Sequence, residues 1–343
     1  MKFRQIGSTD IEVSVIALGT SVMGGSMWGG CDDEMSFNTV RTAIDSGITT
    51  IDTAPIYGFG RSEEIVGKAI SSLRRDSIVL CSKCGLYWSE HPLPSSLGKW
   101  HCFADYNGYT ESFQKFGVYR WLRSDVIRKS IEDSLRRLRT DYIDLIQIHY
   151  PSDGTTPFSE VMGTLEKMRS EGKIRAIGIA NVSRAQLDDY LQLGSVDTVQ
   201  GHYSILDRSV EKNGILDVCR KKEMTFFACT PLERGLLTGS LDPTRVYKYG
   251  DQRINDPLFK KENVKNVNNA LREINSVAKR YNLSTAQFAT AWVANCYGKC
   301  VVLCGARTPE QALENAESGY AQLSEDDMEE VDAILRDFEL LPD

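Results

Sequence analysis

Histidine is scarce in this chain, with four residues in 343. A hydrolytic metal centre built on imidazoles has little to draw on. The histidine of QIHYP, His149, has no ligand partner at local spacing, so no metal is expected. Long apolar runs are missing too. Nothing approaches the roughly 18 apolar residues of a membrane span, and MKFRQIGSTD turns polar too early for a secretory signal. No long basic run stands out and the net charge is −7, so a nucleic-acid surface is not expected. The nine cysteines lack paired spacing apart from one C-x-x-C, Cys81 to Cys84, which has no second pair to complete a zinc site. They read as free thiols of a reducing, cytoplasmic compartment. No repeat or low-complexity segment marks a boundary, so residues 1–343 read as one domain.

What is present is ordinary globular composition, 41% hydrophobic and 25% charged, enough for a sizeable core. SVIALGT (14–20), GITTIDTA (47–54), DSIVLCSK (76–83) and YIDLIQIHY (142–150) read as strands. So do KIRAIGIAN (173–181), DTVQGHY (197–203), MTFFACT (224–230) and CVVLCG (300–305). Helical spacing covers 38–47, 62–73, 124–138, 157–172, 183–194 and 211–222. It returns at 267–280, 284–296, 309–317 and 324–338. Segments 84–123 and 240–266 read as irregular, and the first holds ten aromatic residues. Alternating strands and helices imply a parallel sheet. Eight strands, with no glycine-rich dinucleotide fingerprint after the first, favour a closed (β/α)8 TIM barrel over a doubly wound sheet. Two extra peripheral helices near the C-terminus and a long loop after the third strand complete the expected fold.

A parallel barrel carries its site at the C-terminal strand ends. The second strand ends in Asp52, and its loop supplies Tyr57 before Gly58-Phe59-Gly60. The third ends in Lys83, the fourth in His149, the fifth in Asn181 and the sixth in Gln200. Each alone has a plain structural reading as turn, packed aromatic or solvated residue. Together they suit proton transfer to a carbonyl oxygen. Tyrosine is a feeble acid, a nearby ammonium favours its phenolate, and Asp52 can hold that ammonium in place. His149 can donate to the same oxygen or share its proton. Asn181 and Gln200 carry amides suited to the carboxamide of a nicotinamide ring.

These stretches resemble the aldo-keto reductase family. IDTAPIYGFGRSEEIVGKAI is similar to its D-T-A-x-x-Y-G…SE..vGkal signature, SKCG to its strand-three lysine, and LIQIHYP to its strand-four histidine and proline. GKIRAIGIANVS, VQGHYS, TPLERGLLTG and CGARTPEQALEN resemble further family motifs in the same order. The bacterial branch near inositol-cluster reductases and potassium-channel β subunits is the nearest likeness. The resemblance implies an NADPH-dependent carbonyl reductase with Asp52, Tyr57, Lys83 and His149 as catalytic tetrad and Tyr57 as general acid. It implies nicotinamide contacts at Asn181 and Gln200. Phosphate contacts fall on Leu232, Arg234, Gly235 and Leu237, and the adenosine end on Gly305, Ala306, Arg307, Gln311 and Asn315. NADPH is expected over NADH, because Arg307 offers a cation to the 2′-phosphate. The substrate is expected to be a small aldehyde or ketone, with sugar- or polyol-derived carbonyls among the candidates.

Some positions depart from the family pattern. Ala180 stands where serine is usual, Cys229 where an aromatic stacks under the nicotinamide, and Gln311 where an arginine is common. Segment 84–123 is longer than usual. It reads either as a loop packed on itself or as a wall of the substrate pocket, with Tyr87, Trp88 and, from the loop after the first strand, Trp28 facing the mouth. A channel-β-like, cofactor-binding regulatory subunit is the alternative function, and a Schiff-base enzyme using Lys83 a more remote one. A stoichiometric partner without carbonyl turnover would mark the first, and borohydride trapping the second.

Overall fold

The computed structural model describes residues 1–25, 27–89, 101–102, 117–336 and 338. Eight parallel strands close a barrel: β3 (Ile16–Gly19), β4 (Thr50–Asp52), β5 (Val79–Cys84), β9 (Ile143–Ile148), β10 (Ile174–Ala180), β11 (Thr198–His202), β12 (Thr225–Cys229) and β13 (Cys300–Gly305). Closure is between β13 and β3, with Val302 paired to Ile16 and Gly305 to Gly19. The strands are apolar almost throughout because helices cover their outer face and side chains fill the barrel. All six residues of β9 are buried. Its one charge, Asp144, accepts from the Leu80 amide at 2.9 Å and pairs with Arg75 at 2.6 Å and Arg175 at 2.7 Å. An N-terminal hairpin, β1 (Phe3–Gln5) and β2 (Glu12–Ser14), closes the bottom. Its Ile6, Ile11 and Val13 pack with Ala17, Cys81, Leu145, Ala176, Phe227 and Val301 of the interior.

The outer layer is α1 (Asp33–Asp45), α2 (Arg61–Ile70), α3 (Ser124–Leu138), α4 (Phe158–Ser170), α5 (Arg184–Leu191), α6 (Ser209–Lys212), α7 (Ile215–Lys221), α8 (Lys261–Ala278), α9 (Thr285–Cys296), α10 (Pro309–Ser318) and α11 (Glu325–Leu335). The extra helices are α8 and α11, which pack on each other. Several boundaries differ from the sequence reading. α1 begins five residues early because the Asp32 side chain accepts from the Met35 amide at 2.7 Å. The helix expected over 211–222 breaks in two at Gly214, which takes φ 77°. α8 starts at Lys261, inside the stretch read as irregular.

The largest difference lies after β5. In place of an irregular loop, the described residues form a small antiparallel sheet of β6 (Leu86–Ser89), β8 (Gly117–Arg120) and β7 (His101–Cys102). Trp100, Phe103, Tyr106, Tyr109, Phe113 and Phe116, which the aromatic count included, lie outside the described residues.

Candidate active site

Strand alternation assembles the site. Ile51 and Ile146 point outward into the helix layer, so Asp52 and Gln147 point inward. Lys83 lies two residues beyond the interior Cys81. Lys83 is 0% exposed and Asp52 2%, so this is an ion pair removed from water. Lys83 Nζ donates to Asp52 Oδ1 at 2.5 Å and to the Thr53 carbonyl at 3.0 Å. It stands 5.1 Å from the centroid of the Tyr57 ring. The Tyr57 and His149 rings meet edge to face, 6.1 Å apart at 89°. All four expected tetrad residues thus come together.

Tyr57 is held from behind by backbone. Its amide donates to the Ala54 carbonyl at 3.1 Å, and its carbonyl accepts from the Ser62 amide at 3.2 Å. The loop after β3 presses against it where no side chain fits. A Cβ on Gly24 would stand 2.4 Å from the Tyr57 carbonyl carbon. One on Gly58, which has φ 64°, would stand 2.3 Å from the Gly24 carbonyl oxygen.

The cofactor candidates ring the same mouth. Asn181 takes a left-handed φ of 53° and donates to the His149 carbonyl at 2.9 Å. Its amide donates to the Gln200 carbonyl at 3.1 Å. After β12 the amides of Gly235 and Leu237 are already used within the loop, donating to the Leu232 carbonyl at 2.9 and 3.1 Å. Arg234 differs. It pairs with Asp256 at 2.6 Å, and its Nε is buried without a hydrogen-bond partner. An orphan guanidinium donor at a barrel mouth fits an anionic group such as a cofactor phosphate. After β13, Ala306 is buried, the Arg307 amide donates to Gln311 Oε1 at 2.8 Å, and Asn315 donates to the Gly305 carbonyl at 3.2 Å. The Arg307 side chain donates to the Trp28 carbonyl.

The aldo/keto reductase family matches residues 15–336. This chain belongs to that family. The chain is 38% identical to an NADH-specific methylglyoxal reductase of Escherichia coli, over 95% of this chain and 96% of that one. It is 36% identical to the aldo-keto reductase YhdN of Bacillus subtilis, over 98% and 94%. Among solved structures it resembles the glycerol dehydrogenase AKR11B4 from Gluconobacter oxydans. That match has a TM-score of 0.85 and 36% identity, covering 99% and 97% of the two chains. The protein is an NAD(P)H-dependent aldo-keto reductase.

Burial sets the charge states of this reductase. It pushes Tyr57 above its ordinary value, against the pull of Lys83, with Asp52 adding to the rise. The expected lowering by Lys83 is therefore present but outweighed, and the phenol keeps its proton. Burial acts to lower Lys83, yet Asp52 and then Tyr57 more than offset it, and the ammonium is held. Asp52 is itself raised by burial, with Lys83 opposing. His149 falls well below its ordinary value through burial and then Lys83, so it is neutral near pH 7. A neutral imidazole has one N–H to donate and one nitrogen that accepts. Burial also pushes the Cys229 thiol up to about 12.

The three residues expected to wall the substrate pocket are separated. Leu86 pairs with Arg120 and Trp88 with Val118, so these four share one face of the small sheet. That face meets Ala54, Ile56, Tyr57, Phe59 and Tyr150. Trp88 lies 5.7 Å from Phe59. Tyr87 points to the other face, 5.3 Å from Trp121. Trp28 sits instead beside Arg253 and Arg307, whose guanidiniums lie 5.7 and 5.8 Å from its ring. Sequence reasoning missed Phe59, Arg120 and Tyr150. Arg120 lies 4.3 Å from the Tyr150 ring, which stacks on His149 at 5.5 Å. Only the strand register, hidden inside an apparent loop, identifies Arg120. Tyr150 could have been noticed as the aromatic that follows His149.

The Gly24 contact yields a prediction. Gly24→Ala has no room, so the Tyr57 backbone must shift. The expected result is a kcat lowered on the order of 100-fold, as for other sub-ångström to ångström displacements of a reacting group. The melting temperature should fall as well, because the clash is with backbone, whereas nicotinamide affinity should change little. Wild-type kcat in the Gly24→Ala enzyme would show that the loop gives way instead.

Proposed function

We propose that this enzyme reduces a small oxygenated aldehyde or ketone to the alcohol, with NADPH as cofactor and Tyr57 as general acid. The observation that carries the reading is the fully buried Lys83–Asp52 pair, whose ammonium stands 5.1 Å from the Tyr57 ring. When bound, the nicotinamide supplies the hydride. Tyr57 Oη gives its proton to the carbonyl oxygen as that oxygen gains charge. Lys83 steadies the phenolate left behind, and Asp52 fixes Lys83 in place. Neutral His149 donates a hydrogen bond to the substrate oxygen and orients it. Asn181 and Gln200 hold the carboxamide, Arg234 a phosphate, and Arg307 the 2′-phosphate. The methylglyoxal and glycerol of the relatives' names are both three-carbon oxygenated molecules, which supports the substrate class. A cytoplasmic location goes with this reading, with eight free thiols among the described residues.

Titration of tryptophan fluorescence with NADPH and NADH tests the cofactor, followed by a carbonyl panel that begins with methylglyoxal. NADPH is expected to bind more tightly, and Arg307→Ala to weaken NADPH about tenfold while sparing NADH. NADH is the second reading. It is favoured by the hydrogen bond that already engages Arg307 with the Trp28 carbonyl and by the relative named as NADH-specific. Tighter NADH binding by the wild type selects it.

A further inference from the structure

Gln147 stands two positions before His149 on β9, with no exposed surface. Its Nε2 donates to Asp52 Oδ2 at 3.2 Å and to Gln200 Oε1 at 2.8 Å. Its own Oε1 is buried without a hydrogen-bond partner. An amide with an orphaned oxygen is a poor choice for plain core filling, where an apolar side chain of the same size would leave nothing unpaired. Gly178 on neighbouring β10 carries no side chain where a Cβ would stand 3.0 Å from Gln147 Cγ and 2.1 Å from Thr198 Oγ1.

Donor direction follows from charge. An ionised carboxylate only accepts, so Asp52 takes a hydrogen from the Gln147 NH2. The second hydrogen of that NH2 points to Gln200, which must turn its oxygen inward. With its oxygen on Gln147, the Gln200 NH2 is the end turned away from Gln147 and left free to donate elsewhere. The charge of Asp52 thereby decides what Gln200 offers on the other side of the barrel.

We propose that Gln147 is a positioning residue. It ties the proton-donating chain of Tyr57, Lys83 and Asp52 to the Gln200 amide that grips the nicotinamide carboxamide. This rests on the functional reading above and adds a link to it. A hydrogen-bonded link of this kind transmits orientation in both directions. Loss of Gln147 frees Gln200 to turn, and it loosens Asp52 beneath Lys83.

A double-mutant cycle tests the link. Gln147→Met and Gln200→Met are each expected to raise the NADPH Kd, read by fluorescence titration, about tenfold. The double variant should bind no more weakly than Gln200→Met alone. In the Gln200→Met background, Gln147→Met should still lower kcat for methylglyoxal at saturating cofactor. A general loosening of structure would instead add in both quantities. Additive Kd effects in a protein that binds cofactor overturn the link and leave the functional reading standing. A wild-type chain that binds neither NADPH nor NADH overturns both. Gln147→Glu keeps the shape if the methionine variant fails to fold. With at most one hydrogen to donate, it should also weaken NADPH, and wild-type affinity would overturn the proposal.

Discussion

Tyr57→Phe is expected to lower kcat for carbonyl reduction by about 1,000-fold or more while leaving nicotinamide affinity within about twofold. The substitution removes one oxygen and nothing else. The edge-to-face contact with His149 and the position over Lys83 belong to the ring, and Asp52 still holds the Lys83 ammonium when the hydroxyl's own contribution to it is lost. Among the described residues, the neighbouring His149 and Cys229 are poor replacements for the lost acid. His149 is held neutral by burial and by Lys83, and burial keeps the Cys229 proton tightly bound. The wild-type profile carries the same logic. Burial raises Tyr57, so its phenol stays protonated and kcat for reduction should be flat between roughly pH 6 and 9. An inflection near the ordinary histidine value would mean that His149 titrates in the working enzyme. Substantial turnover by the phenylalanine variant would remove Tyr57 from the acid role altogether.

The barrel was legible because burial on both faces leaves its mark in composition. Runs such as YIDLIQIHY and KIRAIGIAN are apolar whichever way they are read, and helical spacing separates them. Asp52, Lys83 and His149 stood out as polar residues where such runs end. Gln147 obeys the same rule and was hidden by its place within a run, although it shares the parity of His149. The sheet formed by β6, β7 and β8 was not legible, because its strands are short and a long stretch separates the first two. Without that register Tyr87 and Trp88 look alike, whereas pleating sends them to opposite faces. The net direction of Tyr57 was beyond reach for another reason. The attraction of Lys83 can be guessed from neighbouring strand ends, but the burial that outweighs it is a property of the closed barrel mouth.

Lys83→Met is expected to be the costliest substitution in the site, because it leaves Asp52 buried without its cation. Removing one partner of a buried pair destabilises by about 3–5 kcal/mol, and turnover should be lost with it. The penalty should depend on pH. Without Lys83 the Asp52 carboxyl in the fold rises further above its unfolded value of about 3.9, since burial already raises it against the pull of the lysine. The folded variant then holds a proton that the unfolded chain has released. Its stability is fully present below the unfolded value and falls as pH rises towards the folded one. Thermal melts at pH 5 and pH 8 should therefore diverge more for the variant than for the wild type. Adding Asp52→Leu removes the stranded carboxyl. A buried pair exchanged whole for apolar groups is often neutral or stabilising, so the double variant should regain much of the lost melting temperature and none of the turnover. That separation distinguishes a pair retained for chemistry from one retained for folding. A Lys83→Met protein as stable as the wild type at pH 8 would show that Asp52 needs no cation. The case for Lys83 as the charge that steadies the Tyr57 phenolate would then lose its structural footing.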